Sequence, residues 1–207
     1  MFDFDGVLVE SVDTKTRAFA ALYAEHGPEV VERVVAFHLR HGGLSRHEKF
    51  RYGHEVVLGR ALSQAESERL AERFAERVVD AVIAAPWVPG AREFVEAHWR
   101  ELPLFIVSGT PEDELVAIAE RRGMARYFAG VFGSPAKKDE LLRALLARRG
   151  VAPGHTLFVG DSITDYDAAR AAGTAFLGRV PAGAASPFPA GTETAPDLCG
   201  LAAKLNG

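Results

Sequence analysis

The chain has 207 residues, enough for one large domain or a domain carrying a smaller insert. Its 48% hydrophobic and 25% charged content is that of an ordinary globular protein, and a formal net charge of −4 without a dense basic run gives no reason to expect nucleic acid as a partner. No apolar run approaches the ~20 residues of a membrane span, the early acids do not suit a signal peptide, and the single cysteine, Cys199, rules out an internal disulfide. A cytoplasmic protein is expected, with no membrane partner and with Cys199 as a small packed side chain.

The chain opens on Met1 to Glu10, MFDFDGVLVE. In an extended segment Asp3 and Asp5 project to one side while Phe2 and Phe4 project to the other, toward a core. Gly6 then allows a tight turn. Two acids held this close repel unless a cation lies between them or one is protonated, and in such a pair one can attack while the other carries protons. Only Met1 and Phe2 precede Asp3, whereas a buried strand runs about 5 or 6 residues. The strand therefore either starts upstream or is short and runs on through Val7 to Val9.

From Ser11 to Ala85 the pattern is helical. Thr14 to Glu25 carries Ala18, Phe19, Leu22 and Tyr23 at helical spacing and stops at His26-Gly27-Pro28. Glu29 to His41 carries Val30, Val31, Val34, Val35 and His38 and stops at Gly42-Gly43. Ser45 with Glu48 forms a capping-box pattern for a helix reaching Leu58, and Ser63 with Glu66 repeats it for a long helix to Ala85, ended by Pro86.

After Pro86 strands and helices alternate. A helix over Ala91 to Arg100 precedes an apolar strand over Leu102 to Val107; Ser108-Gly109-Thr110-Pro111 then leads into a helix with Glu112, Asp113 and Glu114 in its first turn. A weak strand over Gly130 to Gly133 precedes Lys137, Lys138 and a helix over Asp139 to Arg149. A strand over His155 to Val159 leads through Gly160-Asp161-Ser162 into a helix to Ala172, and the last strand spans Thr174 to Leu177. Pro181 to Pro196 reads as a loop before a short helix over Leu198 to Leu205. This alternation predicts an α/β fold, a doubly wound, Rossmann-like parallel sheet with an inserted helical cap domain: 1–11 and 86–207 as the core, 12–85 as the cap. In such sheets the site lies at the carboxyl ends of the strands. Asp3 or Asp5, Ser108, Lys137 or Lys138, and Asp161 all fall there. Asp161 and Asp165, four apart at a helix start, share a face and suit a divalent cation. Ser108-Gly109 offers a hydroxyl and free backbone N–H groups to an anion.

These motifs, Asp3-Phe4-Asp5-Gly6-Val7, Ser108-Gly109-Thr110, a lysine after Gly133-Ser134-Pro135, and Gly160-Asp161-Ser162-Ile163-Thr164-Asp165, resemble the haloacid dehalogenase-like hydrolase superfamily, in its phosphatase branch with a helical cap. The resemblance covers essentially the whole chain. It implies a Mg²⁺-dependent phosphomonoester hydrolase acting on a small phosphorylated metabolite, with Asp3 forming an aspartyl-phosphate and Asp5 serving as acid and then base. It further implies that Ser108, Gly109 and Lys138, preferred to Lys137, hold the phosphoryl group. The metal would take the Asp3 carboxylate, the Asp5 carbonyl and Asp161, with Asp165 beside it. An acid at Asp5 argues against halide displacement, since a phosphate ester's leaving group needs a proton. The cap is expected to set the substrate, and in His38 to Lys49 the residues Arg40, Arg46 and Lys49 are the candidates to meet a second anionic group, with Arg46 and Lys49 as the substrate residues. A phosphosugar mutase with the same motifs, or a non-catalytic binding protein on this fold, is the alternative.

Overall fold

A computed structural model describes residues 1–205 of the chain. Four helices come first: α1 (Val12–Tyr23), α2 (Pro28–Arg40), α3 (Arg46–Arg51) and α4 (Gln64–Ala84). They pack by their apolar faces around Phe19, whose ring meets those of Phe50 and Phe74 at centroid distances of 5.7 and 4.6 Å. The alternating part follows as α5 (Ala91–His98), β1 (Phe105–Pro111), α6 (Glu112–Arg121), β2 (Gly130–Ser134), α7 (Lys138–Arg149), β3 (Leu157–Gly160), α8 (Ile163–Ala172), β4 (Ala175–Arg179), β5 (Thr194–Ala195) and α9 (Leu201–Leu205).

All strand pairings in the sheet are parallel, β1 with β2 and β3 with β4 and β5. Phe2 joins the two groups by pairing with both Ile106 and Val159, which gives the order β2, β1, Phe2, β3, β4, β5. One face packs Phe94 and Val95 of α5 and Leu115 and Ile118 of α6. The other packs Leu142, Leu145 and Leu146 of α7 and Ala168 and Ala169 of α8 against Phe105, Val107 and Phe158. Coverage on both faces explains why the strands read as apolar runs rather than alternating ones.

The first segment is the shortest member of the sheet, yet it is tied on both sides. Phe2 N donates to Phe105 O and Asp3 N to Val159 O, each at 2.9 Å, and Val107 N donates back to Phe2 O at 2.9 Å. It does not run on through Val7 to Val9. Leu8 N and Val9 N both donate to Phe4 O, and Gly6 N donates to Val9 O, so the chain turns over itself and buries Val7, Leu8 and Val9 in the core. The turn satisfies the backbone groups that a sheet neighbour would have taken.

Other expectations shift locally. The helix capped by Ser45 changes at Tyr52 to a π-helix through Val57, closed by Leu58 N donating to Gly53 O. The reason is packing: a Cβ on Gly53 would collide with the Tyr23 hydroxyl, and the wider turn lets Gly53 and His54 lie against that ring. Ser45 forms the reciprocal capping box, while Ser63 only accepts from Glu66 N. β1 starts at Phe105 because Leu102 still belongs to the turn after α5, its N–H donating to His98 O. The last helix begins at Leu201, because Leu198 N donates to Pro89 O and Leu198 turns into the core. Cys199 next to it is exposed, not packed, since the turn that buries Leu198 faces its neighbour outward.

The chain returns from α4 to the sheet at Ala85, and Arg122, just past α6, fixes that return. Its guanidinium donates to Val82 O, Ile83 O and Ala85 O at 2.6–2.8 Å, satisfying carbonyls the helix end leaves open. Arg122→Ala should lower unfolding stability by about 1–3 kcal/mol, read as a lower urea midpoint at unchanged m-value, with Arg122→Lys recovering only part of the loss.

Candidate active site

Asp3 stands where the short first segment leaves the sheet and is buried. Asp161 follows the end of β3, and Asp165 lies in the first turn of α8. One carboxylate oxygen from each of Asp3, Asp161 and Asp165 falls within 4.8 Å of the others. Lys138, the first residue of α7, is the cation among them: its Nζ lies 2.9 Å from Asp3 Oδ1 and 2.5 Å from Asp165 Oδ1. The second oxygen of Asp165 accepts from Ser162 N at 3.1 Å and Ser162 Oγ at 2.6 Å, the capping box of α8. Asp165 is thus a fully engaged acid that aims Lys138 at Asp3.

Burial pushes the Asp3 carboxyl up, Lys138 pulls it down, and the charges of Asp165 and Asp5 raise it again, leaving it at about 7. Burial and the charges of Asp3 and Asp165 push Asp161 well above the ordinary carboxylate range. Burial works against the Lys138 ammonium, but Asp165 and Asp3 outweigh it and hold that lysine firmly protonated. Asp3 Oδ1 has no aligned hydrogen-bond donor among the described residues; its approach to Lys138 is an ion-pair contact. A cluster of hard carboxylate oxygens, short of positive charge and with one oxygen unmatched, fits Mg²⁺.

Asp5 is held apart from that cluster. It accepts from Ser11 Oγ at 2.5 Å, Lys15 Nζ at 2.5 Å and Thr110 Oγ1 at 3.2 Å, and Lys15 also donates to Thr110 at 2.8 Å. Burial would raise this carboxyl, but the Lys15 charge and the hydrogen bonds from Lys15, Ser11 and Thr110 prevail and keep it below its usual range. Two aspartates two residues apart therefore sit in opposite electrostatic settings, one inclined to hold a proton and one to remain ionised.

The helical cap closes over both. Gly43, in the loop between α2 and α3, donates its N–H to Ser162 Oγ at 3.2 Å and Thr164 Oγ1 at 3.0 Å. Its carbonyl lies so close to Gly109 that a side chain on Gly109 would strike it. Arg46 reaches Glu114 of α6 with both terminal nitrogens, at 2.9 and 2.5 Å, and lies over the Phe74 ring. Lys49 Nζ donates to Gly42 O at 2.9 Å and contacts His38 Nδ1 at 3.1 Å. Burial and the charge of Lys15 push the Lys49 amine down to about 7. The enclosed space, about 60 Å³, is lined by Asp3, Asp5, Ser108, Gly109 and Asp161 from the core and by Lys15, His38, Arg46 and Lys49 from the cap.

Every residue singled out from the sequence is thus in one place, with two qualifications. Of the two lysines, Lys138 enters the cluster and Lys137 stays exposed at the N-cap of α7. Asp5 does not present its carboxylate to Asp161 and Asp165; its side chain belongs to Lys15. Sequence reading missed Lys15, an unremarked lysine on an amphipathic helix, together with Thr110 and Glu114. His38 stands in the sequence on the apolar face of α2 and at the head of the His38 to Lys49 stretch, and a histidine on an apolar stripe is the signal for its place in the cavity.

The structure is thus a doubly wound α/β domain with paired aspartates at its first carboxyl end, an acidic cluster answered by one lysine, and a helical cap over both. A family model described as haloacid dehalogenase-like hydrolase matches residues 1–173. The chain belongs to that family. It is 28% identical over 200 residues to a phosphoglycolate phosphatase of Pseudomonas savastanoi pv. phaseolicola, covering 84% of this chain and 66% of that protein. It is 31% identical over 195 residues to a phosphoglycolate phosphatase of Vibrio parahaemolyticus, covering 86% of this chain and 81% of that one. Among solved structures, a hydrolase from Pseudomonas syringae superposes with a TM-score of 0.77 at 23% identity, over 99% of this chain and 96% of that one, a likeness of fold. No helix among the described residues is long and apolar enough to cross a membrane.

The buried Lys49 amine gives a pH signature. Burial lowers its proton affinity on folding from the usual 10.5 to about 7, so between those values the unfolded chain binds the extra proton and stability rises with pH, by at most about 1.4 kcal/mol per pH unit. Lys49→Met should therefore be more stable than the parent at pH 7, with the gain shrinking toward pH 10. A gain constant across that range in urea titrations would contradict it.

Proposed function

We propose that this chain is a Mg²⁺-dependent phosphomonoester hydrolase that acts on a small phosphorylated metabolite through an aspartyl-phosphate on Asp3. The observation that carries the reading is Asp3 itself: a buried carboxylate with one oxygen free of aligned donors, placed between Lys138 and two further acids on the floor of an enclosed cavity. The cytoplasmic setting expected from the cysteine content suits such a substrate.

A phosphate ester enters with its phosphorus in line with an Asp3 oxygen. Lys138, the Ser108 hydroxyl and the backbone N–H of Gly109 bind the non-bridging oxygens, where transition-state charge gathers. The Asp3 oxygen forms a bond to phosphorus as the ester P–O bond breaks, and the departing oxygen takes its proton from Asp5. The arriving anion competes with Asp5 for Lys15, which lifts the proton affinity of Asp5 so that it can act as an acid. Asp5, now ionised and again drawn to Lys15, takes a proton from water, whose oxygen attacks phosphorus and frees both phosphate and the Asp3 carboxylate. Asp3 and Asp161, with the Asp5 carbonyl and Asp165 beside them, would hold Mg²⁺, which would supply the positive charge that keeps Asp3 ionised and offsets that of the ester. A cavity of about 60 Å³ favours a few-carbon ester over a nucleotide.

Phosphate release from p-nitrophenyl phosphate should require Mg²⁺, stop with EDTA and return on adding back the metal. Asp3→Asn should lose at least about 10³-fold in kcat while melting within a few degrees of the parent. Undiminished turnover in that variant would overturn the assignment.

A further inference from the structure

Arg179 closes β4 with its side chain buried, a place an arginine holds only when its donors are matched. Nη1 and Nη2 grip the Glu10 carboxylate at 3.2 and 2.6 Å, and Nε donates to Pro196 O at 3.1 Å. The remaining contact is with the site: Nη1 also donates to Gly6 O at 3.3 Å. Gly6 follows Asp5, and it is fixed on three sides. Its N–H donates to Val9 O at 2.8 Å, its carbonyl accepts from Arg179, and its α-carbon passes so near Asp161 that a Cβ there would collide with Oδ2 of that acid. With φ at +72°, glycine is the residue this approach admits. The peptide unit is planar and trans, so aiming the Gly6 N–H at Val9 O turns the Asp5 carbonyl the opposite way, out of the turn. Glu10, where the turn ends, is itself tied to Pro86 O through its N–H at 3.0 Å. One guanidinium thus holds both ends of the turn, Gly6 and Glu10, from the end of the strand beside β3, the strand that Asp161 follows.

We propose that Arg179 is a positioning residue for the metal: through Gly6 and Glu10 it seats the turn that carries the Asp5 carbonyl beside Asp161, and so sets how tightly Mg²⁺ binds without touching the ion or the ester. This deepens the phosphatase reading and rests on it for the ligands of the metal. A guanidinium that meets a carboxylate with two nitrogens is fixed in direction as well as in distance, which a lysine in its place would not reproduce. Mg²⁺ demands near-octahedral geometry and tolerates little displacement of an oxygen ligand, so a turn released from Arg179 weakens the ion even with every ligand still present. The groups assigned to the phosphoryl oxygens rest on other elements, Ser108 and Gly109 on β1 and Lys138 on α7, and none of them is held by Arg179. The effect therefore falls on the metal and not on the ester.

Mn²⁺ is the probe, because electron paramagnetic resonance separates free from bound ion without turnover. The full chain should bind Mn²⁺ in competition with Mg²⁺, and Asp161→Asn should lose that binding. Arg179→Met should weaken it about ten-fold, with Arg179→Lys recovering part of the loss. Glu10→Gln, at a half-buried position and still an acceptor, should weaken it about two-fold and serves where Arg179→Met does not fold. In p-nitrophenyl phosphate turnover by Arg179→Met, half-maximal rate should need correspondingly more Mg²⁺, while kcat and KM at saturating Mg²⁺ stay within about two-fold of the parent. Arg122→Ala is the control for lost stability: it frees backbone carbonyls at the end of α4 and should melt lower with its Mn²⁺ affinity unchanged. Unchanged Mn²⁺ affinity in folded Arg179→Lys and Glu10→Gln, or an equal loss in Arg122→Ala, would overturn the positioning role and leave the phosphatase reading standing. A parent chain that binds no Mn²⁺ removes the metal from that reading and the role of Arg179 with it.

Discussion

The site is governed by repulsion among carboxylates that the fold will not separate. Asp3, Asp161 and Asp165 come within 4.8 Å of one another at one edge of the sheet, where two unit charges 4 Å apart interact by about 4 kcal/mol at an effective dielectric near 20. Lys138 answers two of the three, and its Nζ makes closer contact with Asp165 than with Asp3. The remaining imbalance appears as carboxyls on Asp3 and Asp161 with a raised hold on protons. A group of acids in that condition recruits a dication, an anion-neutralising lysine, or both. The elements that bring Lys138, Ser162 and Asp165 together are there to make the imbalance tolerable.

The same constraint accounts for how the cap meets the core. A bulky loop laid over the acids would desolvate them without replacing water, so the contact is made by backbone. Gly43 offers its N–H to Ser162 and Thr164, the residues that flank and orient the acidic turn, and its carbonyl rests against Gly109 without an intervening side chain. Around this thin lid the polar side chains fix position. Arg46 grips Glu114 by two hydrogen bonds, and Arg122 holds the carbonyls at the end of α4. These ties fix the seat of the cap by directional contacts as well as by the apolar cluster around Phe19.

What was legible in the sequence was whatever local pattern decides. Strand-turn-helix repeats located the sheet, and the aspartates, Ser108 and the lysine pair could be assigned to its carboxyl edge because that edge is set by topology. Boundaries that depend on tertiary contact were not legible. The π-helix over Tyr52–Val57 follows from the approach of Gly53 to Tyr23, residues far apart in the chain. The turn over Val7 to Val9 follows from where Phe4 O can find donors. The exposed Cys199 follows from the burial of its neighbour Leu198. In the site, Asp5 was legible as an acid but its partner was not. Lys15 stands three, four and seven residues before Ala18, Phe19 and Leu22, on the apolar face itself, and nothing local says that this end of the face opens on the cavity. The same holds for Arg46, whose residue type promised an anion and whose fold-given partner is Glu114.

Sorting the charges by their origin carries the account further. The acids of the site, Asp3, Asp5, Asp161 and Asp165, belong to the sheet edge, while the cations Lys15, Arg46 and Lys49 come from α1 and α3 of the helical cap. Closing the cap therefore brings opposite charges together, and most of the cations find a protein partner when it closes. Lys49 does not. Its contacts are the Gly42 carbonyl and the His38 ring nitrogen, so among these three cations it is the one whose burial no carboxylate of the described residues offsets. In this arrangement the cap is seated on the core by charge as well as by apolar contact, since the ion pairs Lys15–Asp5 and Arg46–Glu114 join the two parts beside the cluster around Phe19.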